Sequence, residues 1–488
     1  VKNSSEKSTT WSKGNVSTGG NLNITSGNDD NSRGTVDIGG ADFTTGGDFN
    51  ITAKQIDTTK YTDVTEKTNS DFSLGVKVSN STTSSIADAV NKGMQIAETA
   101  ADPEKSLNAG LTAAQVAGTA TNLIFGDLAA NTTSVTGELG YSESSSKHTK
   151  ENETVIQSGG KINFKTTDGD INLNGVQMKG NEVVLDADEK HNININSAKE
   201  TYTENSFSIN ASGGVTASAG VGAIDGGNAQ LGVTGNASFS KSDVNNEYSH
   251  GSVIEAGNVE LKGKDVNLKG SNIVADNLHT ELKGNVNVTT EADKYDESRI
   301  EAWAGVDGSL GVASNTIGTG DLGVSAGGGQ IYKKGDVINN QAGIVVKNDI
   351  TGTIEGDLNL KGGVFGSETG NANGNLTIGG NVNVEDVKSN LEAGGAIVGG
   401  NIGSKGGGIQ GEVGDVIDLE KTAKGTVALN PGNTQIGGDV TVNGESAQDI
   451  TRDNDPLKGV NTDLSNSLTT DKDVYEGGGT FSGTASVP

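Results

Sequence analysis

Apolar residues alternate with single polar residues over most of this chain, in short groups that are separated by turns containing glycine. Within residues 252–295 the apolar pairs are Val259/Leu261, Val266/Leu268, Ile273/Ala275 and Val286/Val288. Because successive side chains of a β-strand point to opposite faces, each pair is expected on one face and the polar residue between them on the other. The glycines suit sharp corners. This pattern predicts many short strands joined by tight turns.

The apolar pairs also recur over a longer interval. Val266 and Val286 are 20 residues apart, and so are Leu268 and Val288. Intervals of 21, 22 and 18 residues separate Ile162 from Val183, Ile171 from Ile193 and Leu358 from Leu376. One such unit of short strands cannot bury a core alone, whereas stacked units can. We therefore predict a parallel β-helix (solenoid), in which each strand pairs with the equivalent strand one coil further along.

Asparagines occupy the polar position in the centre of many of these strands. They are Asn163, Asn172, Asn194, Asn267, Asn287 and Asn383. Stacked coils would place equivalent side chains above one another, where amides can form hydrogen-bonded ladders. We therefore expect these asparagines to stabilise the stack rather than to bind a ligand.

Residues 84–130 break the short-strand pattern. Ile86 and Val90 fall at helical spacing, and Asp102 followed by Pro103 is a typical start of a second helix. The segment predicts an α-helical hairpin inserted between strands. The predicted fold class is thus all-β, a parallel β-helix with glycine-rich β-hairpin excursions and one inserted α-helical hairpin.

The coil pattern alternates with longer segments rich in glycine and small residues, and this predicts eight segments. They are coils with a first excursion strand at 1–83, the helical insert at 84–130, coils at 131–205, a glycine-rich hairpin at 206–250, coils at 251–298, a second hairpin at 299–342, coils with a glycine-rich excursion at 343–448, and a polar tail at 449–488. Because the chain starts within the repeat pattern, we expect it to be a piece of a longer protein.

Composition narrows the class of protein. Only 32% of the 488 residues are hydrophobic and 4% are aromatic, while 74 are glycine, which suits a thin solenoid core better than a conventional globule. The net charge of −28 would repel phosphate backbones and anionic lipid headgroups, so nucleic acid is not an expected partner. The sequence has no cysteine, which excludes disulfides and thiol catalysis.

No residue pattern predicts an enzyme, a cofactor or a metal site. The four histidines, His148, His191, His250 and His279, lie outside any catalytic or metal-binding motif and are expected at the surface. The acidic clusters lack the spacing of known calcium loops. Glycoside hydrolysis would need aromatic sugar platforms beside paired carboxylates, and the two tryptophans, Trp11 and Trp303, are far apart in sequence.

The glycine-rich segments carry the candidate functional residues. Their apolar residues alternate with serine, asparagine and glycine over about the length of a membrane-spanning strand. They either insert into a target membrane or pack along the side of the solenoid. The candidate membrane-inserting residues are Phe207, Ile209, Val215, Val221, Leu231, Val233, Phe239, Trp303, Val306, Leu310, Leu322 and Val324.

Two blocks of the chain resemble a known family. Residues 154–187 and 251–277 are similar to the haemagglutinin repeats of large two-partner-secreted exoproteins. That family includes the filamentous haemagglutinins and the CdiA effectors of contact-dependent growth inhibition. Residues 460–478 resemble the segment that precedes the pretoxin part of those effectors. The Ala-rich insert at 84–130 is not part of the short repeat.

The resemblance implies a function, a location and partners. The chain would be a structural and toxin-translocation stalk module of a secreted filament on a Gram-negative cell, with strands that could insert into the target outer membrane. The alternative is a filamentous-haemagglutinin-type adhesin that binds host or neighbouring cells. Implied partners are an outer-membrane transporter of two-partner secretion, the target outer membrane or a surface receptor, and a C-terminal toxin domain in cis.

Overall fold

The computed structural model describes residues 1–79, 133–222, 226–313, 316–317, 320–369, 372–404, 406–447 and 457–486. The predicted helical hairpin at 84–130 lies outside these ranges. The described residues form an all-β structure without an α-helix, in agreement with the predicted all-β class. Two short 3₁₀ turns occur at Asp30–Ser32 and Leu464–Asn466.

The strands alternate between short and long along the chain. In chain order they are β1 (Lys2–Thr9), β2 (Gly14–Thr18), β3 (Leu22–Thr25), β4 (Thr35–Asp37), β5 (Ala41–Thr45), β6 (Phe49–Ala53), β7 (Gln55–Asp57), β8 (Thr62–Ser79), β9 (Thr133–Glu151), β10 (Thr154–Ser158), β11 (Lys161–Thr166), β12 (Ile171–Asn174), β13 (Val176–Asp186), β14 (Ile193–Asn196), β15 (Ala198–Gly222), β16 (Gly226–His250), β17 (Val253–Gly263), β18 (Val266–Lys269), β19 (Asn272–Leu282), β20 (Val286–Thr289), β21 (Asp293–Ala313), β22 (Thr316–Ile317), β23 (Asp321–Val337), β24 (Gly343–Ile354), β25 (Leu358–Lys361), β26 (Val364–Ser367), β27 (Leu376–Ile378), β28 (Val382–Glu385), β29 (Val387–Gly403), β30 (Gly406–Val413), β31 (Val416–Ala423), β32 (Thr426–Ala428), β33 (Thr434–Ile436), β34 (Val440–Val442), β35 (Glu445–Ser446), β36 (Leu468–Glu476) and β37 (Gly479–Ser486).

These strands form three sheets within the described residues. The first parallel sheet has fourteen strands and its main path runs β2-β5-β10-β13-β17-β19-β24-β26-β32. The second parallel sheet has ten strands in the order β4-β7-β12-β14-β18-β20-β25-β28-β34-β35, of which only β35 is antiparallel to its neighbour. The long strands form a third, antiparallel sheet of thirteen strands along β1-β8-β9-β15-β16-β21-β23-β29-β30-β37. The short strands are therefore segregated from the long ones.

The short strands stack near the predicted interval within each coil block, whereas the interval is longer wherever long strands intervene, as for Ile193, which pairs with Val266. Val266 pairs with Val286 and Leu268 with Val288, in parallel register, and the other two predicted pairs in residues 162–195 are also in register. The prediction for Leu358 is wrong, because this residue pairs with Val382, 24 residues further along. Leu376 lies in the first parallel sheet, whereas Leu358 lies in the second. The 18-residue spacing therefore separates two strands that belong to different sheets and do not stack on each other.

The two parallel sheets share one apolar core, which gives the short strands a β-helix-like arrangement. The inward residues form one continuous buried cluster from Phe43 in the first coils to Val440 in the last. Phe49, Phe164 and Phe365 are its largest fully buried side chains. Full burial of an aliphatic or phenyl side chain contributes about 1.5–3 kcal/mol, so even a core one side chain thick can stabilise the stack.

A repeated corner in the second parallel sheet explains the glycines that precede its strands. The backbone N–H of Asn285 donates to Asp265 Oδ1 at 2.7 Å, and the N–H of Asp357 donates to Asn285 Oδ1 at 2.7 Å. A Cβ on Gly284 would lie 2.0 Å from Asp265 Oδ1, and one on Gly356 would lie 2.2 Å from Asn285 Oδ1. Glycine is therefore needed at these corners, because the Asp or Asn side chain of the preceding coil occupies the space that a Cβ would take.

The long strands leave the stack between coils and pair with one another. β15 pairs along its length with β9 on one side and β16 on the other, and β16 pairs with β21. The predicted polar tail also contributes, because β36 pairs with β31 and β37 pairs with β30. These two strands contain few apolar residues, so apolar alternation does not identify them from sequence, and strands β31 and β30 supply their backbone hydrogen bonds.

Buried charges join the antiparallel sheet to the stack. Glu291, which precedes β21, has a side chain that is 11% exposed and accepts hydrogen bonds from Ser197 and, at 3.0 Å, from Lys199. Lys269 lies 3.5 Å away. Burial raises the pKa of Glu291, but the hydrogen bonds and the two lysine charges outweigh it and hold this pKa below its usual value.

Candidate functional site

The antiparallel sheet has two chemically different faces. Its register places Val78, Val135, Val215 and Val233 in one row across four neighbouring strands. Because side chains alternate along each strand, every second residue from this row lies on the same face. We call this face the outer face and the opposite one the inner face. The outer positions are mostly apolar, and the inner positions are mostly serine, threonine, asparagine and glycine.

Large apolar side chains of the outer face are unusually accessible. Their exposed fractions lie between 37% and 77%. They are Leu74, Val76, Tyr141, Val233, Ile300, Val306, Leu310, Leu322, Val324, Tyr332, Val398, Ile402, Ile409, Val413 and Phe481. An apolar surface of this extent is typical of a protein or membrane contact site rather than of scattered exposed residues.

The outer face is free of charge over a defined length. In residues 229–239 of β16 and 322–332 of β23, each 11 residues long, no outer position carries a charged side chain. Charges begin just beyond, where Lys241 pairs with Asp243 at 2.6 Å. An aromatic row marks this boundary, since the ring of Phe207 lies 5.6 Å from that of Phe239 and 6.2 Å from that of Tyr141.

The structure brings most of the predicted site residues onto the outer face. Those on this face are Phe207, Ile209, Val215, Leu231, Val233, Phe239, Val306, Leu310, Leu322 and Val324. Val221 pairs with Gly227 near the tip of the same hairpin. Val215 differs from the others in being only 1% exposed, within a small cluster that includes Val135 and Ala217.

Trp303 lies on the inner face, opposite Val306 and Leu310, with which the sequence analysis grouped it. Its ring rests on two glycines of neighbouring strands, because a Cβ added to Gly327 or Gly399 would lie 2.2 Å from the ring. An odd separation of three residues along one strand places two side chains on opposite faces, so this placement follows from period-two counting.

Several outer-face residues were missed by sequence analysis. Ile402 and Val398 on β29, Ile409 on β30 and Phe481 on β37 are all more than 40% exposed on this face. A glycine-rich excursion was predicted within residues 343–448, but its alternation is interrupted by pairs of glycines. The signal that could have identified them is the period-two spacing of Ala396, Val398 and Ile402.

The sheet curves towards its inner face. On β29, Ile397 is 3% exposed, whereas its neighbour Val398 on the outer face is 41% exposed. Arg299 on β21 donates a hydrogen bond to Glu412 on β30, although β23 and β29 lie between these strands. Both residues line one groove on the inner face together with Ile331 of β23 and Ala393 of β29, so this face is concave here. Arg299 also lies 3.5 Å from Glu301.

The histidines do not form a catalytic or metal-binding arrangement. His148 and His250 each contact one oxygen of Glu200, at 2.7 and 3.0 Å, at the root of the sheet. Burial raises the pKa of Glu200, but the two hydrogen bonds together with the neighbouring positive charge of Lys150 outweigh it and lower the pKa overall. Within the described ranges, no group of three or more histidine or acidic side chains is placed to hold a metal ion.

The other two histidines have different surroundings. His279 lies within β19, and its Nδ1 is 2.9 Å from the Thr351 hydroxyl. The Nδ1 atom of His191 is buried and has no hydrogen-bond partner in the described structure. Among those same residues, no helix has the length and hydropathy needed to cross a bilayer.

Comparison with known proteins identifies the family. A sequence profile described as "Hemagglutinin repeat" matches residues 1–135 and 135–304, which together exceed half of the chain. The chain belongs to the haemagglutinin-repeat family. This confirms the family resemblance found in the sequence and accounts for the repeated coil blocks.

Two relatives match most of this haemagglutinin-repeat chain. One is "Filamentous hemagglutinin" of Bordetella pertussis (strain Tohama I), which is 28% identical over 478 residues, 91% of this chain and 13% of the relative. The other is "Protein adenylyltransferase and cysteine protease IbpA" of Histophilus somni (strain 2336), which is 27% identical over 369 residues, 73% of this chain and 8% of the relative. The chain thus spans a small part of both.

No solved structure matches the chain significantly. The relationship to filamentous haemagglutinin confirms the predicted location. The protein is secreted and lies at the cell surface of a Gram-negative bacterium.

Proposed function

We propose that the chain is a structural module of a secreted surface filament and that its antiparallel sheet contacts the outer membrane of a target cell. In this proposal the two parallel sheets form a parallel β-helix that acts as the stalk. The module serves toxin translocation in contact-dependent growth inhibition, and the transporter and the toxin domain implied by the resemblance are its partners. It has no catalytic role, and the eight predicted segments are its structural units.

The outer face is the observation that carries this proposal. A bilayer is crossed by about 9–11 residues of a tilted strand, and the charge-free lengths of β16 and β23 are 11 residues each. Alternation of apolar and polar positions, with aromatic residues at the edge of the apolar band, is typical of strands that face lipid. The aromatic row and the charged pair Lys241–Asp243 occupy such an edge.

Vesicle flotation with paired substitutions tests the proposal. Ile402→Lys and Leu322→Lys place a charge on the outer face, whereas Asn401→Lys and Ser325→Lys place one on the inner face of the same strands. A lysine facing lipid costs about 2–4 kcal/mol at the bilayer midplane and less towards the interfaces, so these outer variants, which lie near one end of the charge-free band, should bind phosphatidylcholine vesicles severalfold more weakly than the inner ones. Equal binding of all four variants, or none by the unmodified chain, would contradict membrane contact.

A second candidate function is adhesion to host or neighbouring cells. The name of the Bordetella relative supports it, together with the concave inner face, whose polar side chains are available for contacts. Cell-binding measurements that compare outer-face with inner-face variants separate the two candidates. Adhesion through the inner face would be insensitive to Ile402→Lys.

A further inference from the structure

Asparagine is followed by glycine at three places in this chain. They are Asn174–Gly175, Asn373–Gly374 and Asn443–Gly444. In such a sequence the backbone nitrogen of the glycine can attack the side-chain Cγ of the asparagine, because glycine has no side chain that shields this nitrogen or restricts its approach. The reaction needs a free glycine N–H and an asparagine side chain that can turn towards it. The structure separates the three places on these two requirements.

The first place is held inside the parallel stack. The N–H of Gly175 donates to the carbonyl oxygen of Asn196 at 2.9 Å. The Asn196 side chain in turn donates to Asn174 Oδ1, also at 2.9 Å. Both the attacking nitrogen and the amide that it would attack are therefore occupied by the next coil.

The second place is exposed but its backbone is fixed. The N–H of Asn373 donates to the carbonyl oxygen of Asn348 at 3.1 Å, and its own carbonyl accepts from Ile350 at 3.0 Å. A Cβ on Gly374 would lie 2.4 Å from Thr351 Cγ2, so this glycine is packed against β24. The turn cannot rearrange without breaking these contacts.

The third place is the two-residue turn of a hairpin at the edge of the second parallel sheet. Val442 of β34 pairs with Glu445 of β35 across the turn. Asn443 and Gly444 have positive φ angles of 52° and 82°, as in the type I′ turns that Asn-Gly favours. Both residues are exposed, and within the described structure the N–H of Gly444 makes no hydrogen bond. This nitrogen is therefore free to react.

We propose that Asn443 is a site of spontaneous deamidation. The Gly444 nitrogen forms a bond to Asn443 Cγ, the Cγ–Nδ2 bond breaks, and ammonia leaves behind a cyclic succinimide. Water then opens the ring at either carbonyl, which leaves aspartate or isoaspartate at this position. The reaction consumes only water. The site lies on the parallel stack, so the proposal does not depend on membrane contact by the antiparallel sheet.

The modification would act on a contact between coils. The N–H of Asp386 donates to Asn443 Oδ1 at 2.8 Å, and Asn443 Nδ2 donates to Asp386 Oδ2 at 3.1 Å. Deamidation replaces the second donor by a carboxylate oxygen, so that two carboxylates repel each other where a hydrogen bond was. Isoaspartate also adds one atom to the backbone of the turn and moves β35 out of register with β34. The hairpin should therefore unpair as the protein ages.

Peptide mapping tests the site, because each Asn-Gly sequence falls in a different tryptic peptide. These peptides are 166–179, 362–388 and 425–452. The full chain is incubated at mildly alkaline pH, and samples are digested and analysed by mass spectrometry. Conversion adds about 1 Da, and an isoaspartyl methyltransferase labels the isoaspartate product. Peptide 425–452 should convert at least about tenfold faster than the other two, because they must first break one or two further hydrogen bonds.

Hydrogen exchange tests the consequence. The N–H of Ala447 donates to the carbonyl oxygen of Val440 at 2.9 Å and so reports on the hairpin. Its protection should fall about tenfold in Asn443→Asp, which carries the aspartate product from the start. Asn443→Gln is the matched control, since it keeps an amide but has a longer side chain that closes a ring far more slowly. Protection should stay constant during incubation of this variant and fall in the unmodified chain.

The opposing outcomes are equally specific. An unchanged mass of peptide 425–452 in the incubated chain, while a synthetic peptide of the same sequence converts, would overturn the proposal. Equal rates in all three peptides would also overturn it, because exposure and a free N–H would then not decide the reaction. Conversion that leaves the protection of Ala447 unchanged would refute the unpairing of the hairpin. Vesicle flotation of Asn443→Asp should match that of the unmodified chain.

Discussion

At the scale of single residues, polar side chains in the second parallel sheet stabilise the stack by bonding to the coils on either side. Asn172, Asn194, Asn267 and Asn287 form consecutive amide hydrogen bonds of 2.7–2.8 Å, and the row continues through Asn359 and Asn383. Each interior amide both donates to the preceding row and accepts from the following one. Loss of one member therefore removes two hydrogen bonds.

Asn267→Ala should lower the free energy of unfolding by about 1–2 kcal/mol, because the amides of Asn194 and Asn287 each lose a partner while remaining half-buried. The effect is measured as the midpoint of urea unfolding of the parallel stack, followed by far-ultraviolet circular dichroism. Asn401→Ala is the matched control, since its exposed side chain lies on the antiparallel sheet. Equal midpoints for the two variants would show that the ladder contributes nothing measurable.

Sequence reasoning predicted the ladder but not all of its members. Period-two alternation and coil spacing identify Asn267 and Asn287 as stacked neighbours. Asn163 was expected to join them, but in the described structure no hydrogen bond links its side chain to another amide side chain. The residue that pairs with Asn163 one coil further along is Val184. Asn359 was missed. A ladder depends on which residue occupies the equivalent position one coil away, and that requires the exact coil length.

Glu291 gives the junction between stack and sheet a dependence on pH. Its pKa in the folded chain lies below the usual value of 4.5, so its contribution to stability is present above that pH and is lost as the pH falls through the folded pKa. Glu291→Gln should cost about 1.5–3 kcal/mol at pH 7, and the difference from the unmodified chain should shrink below about pH 4. Urea midpoints at both pH values provide the measurement.

Glu255→Gln serves as the control for this titration, since Glu255 pairs with Lys179 at the exposed surface. Exposed ion pairs contribute about 0–1 kcal/mol, so its effect should be small at either pH. A penalty for Glu291→Gln that persisted unchanged at low pH would mean that packing, rather than the carboxylate charge, stabilises the junction.

At the scale of elements, the curvature of the antiparallel sheet is linked to one ion pair. Arg299 and Glu412 belong to strands separated by two others, and their hydrogen bond closes the concave inner face. Trp303 lies on the same strand as Arg299 and rests on Gly399 of β29. Any movement of β29 and β30 away from β21 therefore exposes this indole.

Glu412→Gln and Arg299→Gln should each shift the Trp303 emission to longer wavelength in a Trp11→Phe background, because the indole becomes more hydrated. The charge-exchanged pair Arg299→Glu with Glu412→Arg should restore most of the original spectrum when it is combined with Glu301→Gln, because Glu301 lies 3.5 Å from Arg299 and would repel a carboxylate there. Pairs of this kind contribute about 1 kcal/mol when partly exposed, so protease sensitivity of β29–β30 should rise severalfold in the single variants. If the exchange fails to rescue the spectrum, then the pair does not set the curvature.

Individual strands were easier to predict than the pairing of the long ones. Alternation predicted a glycine-rich hairpin at 206–250, and β15 and β16 do form a hairpin across 198–250. The strands that flank this hairpin, β9 and β21, come from other parts of the chain, and no local pattern encodes that association. The joining of all long strands into one sheet follows from stacking the coils, since each strand leaves the stack beside its predecessor. The continuous outer face could be recognised only after that step.

At the scale of the whole molecule, stability should be distributed along the stack, because each short strand of the parallel sheets pairs only with the rows before and after it. In such one-dimensional assemblies a local defect weakens neighbouring units more than distant ones. β18 pairs with β14 and β20, and Leu268 within it is 1% exposed. The antiparallel sheet could instead make distant coils unfold together, since its long strands connect separate coil blocks.

Leu268→Ala distinguishes these two forms of cooperativity. Removing a buried leucine side chain costs about 2–5 kcal/mol, so amides of β14, β18 and β20 should lose hydrogen-exchange protection by about 30-fold or more. If stability is local, amides of β34 near the far end should keep their protection. Val324→Ala, at a position that is 48% exposed, is the control and should change neither region. Equal loss of protection in β18 and β34 would instead show that the antiparallel sheet makes the chain unfold as one unit.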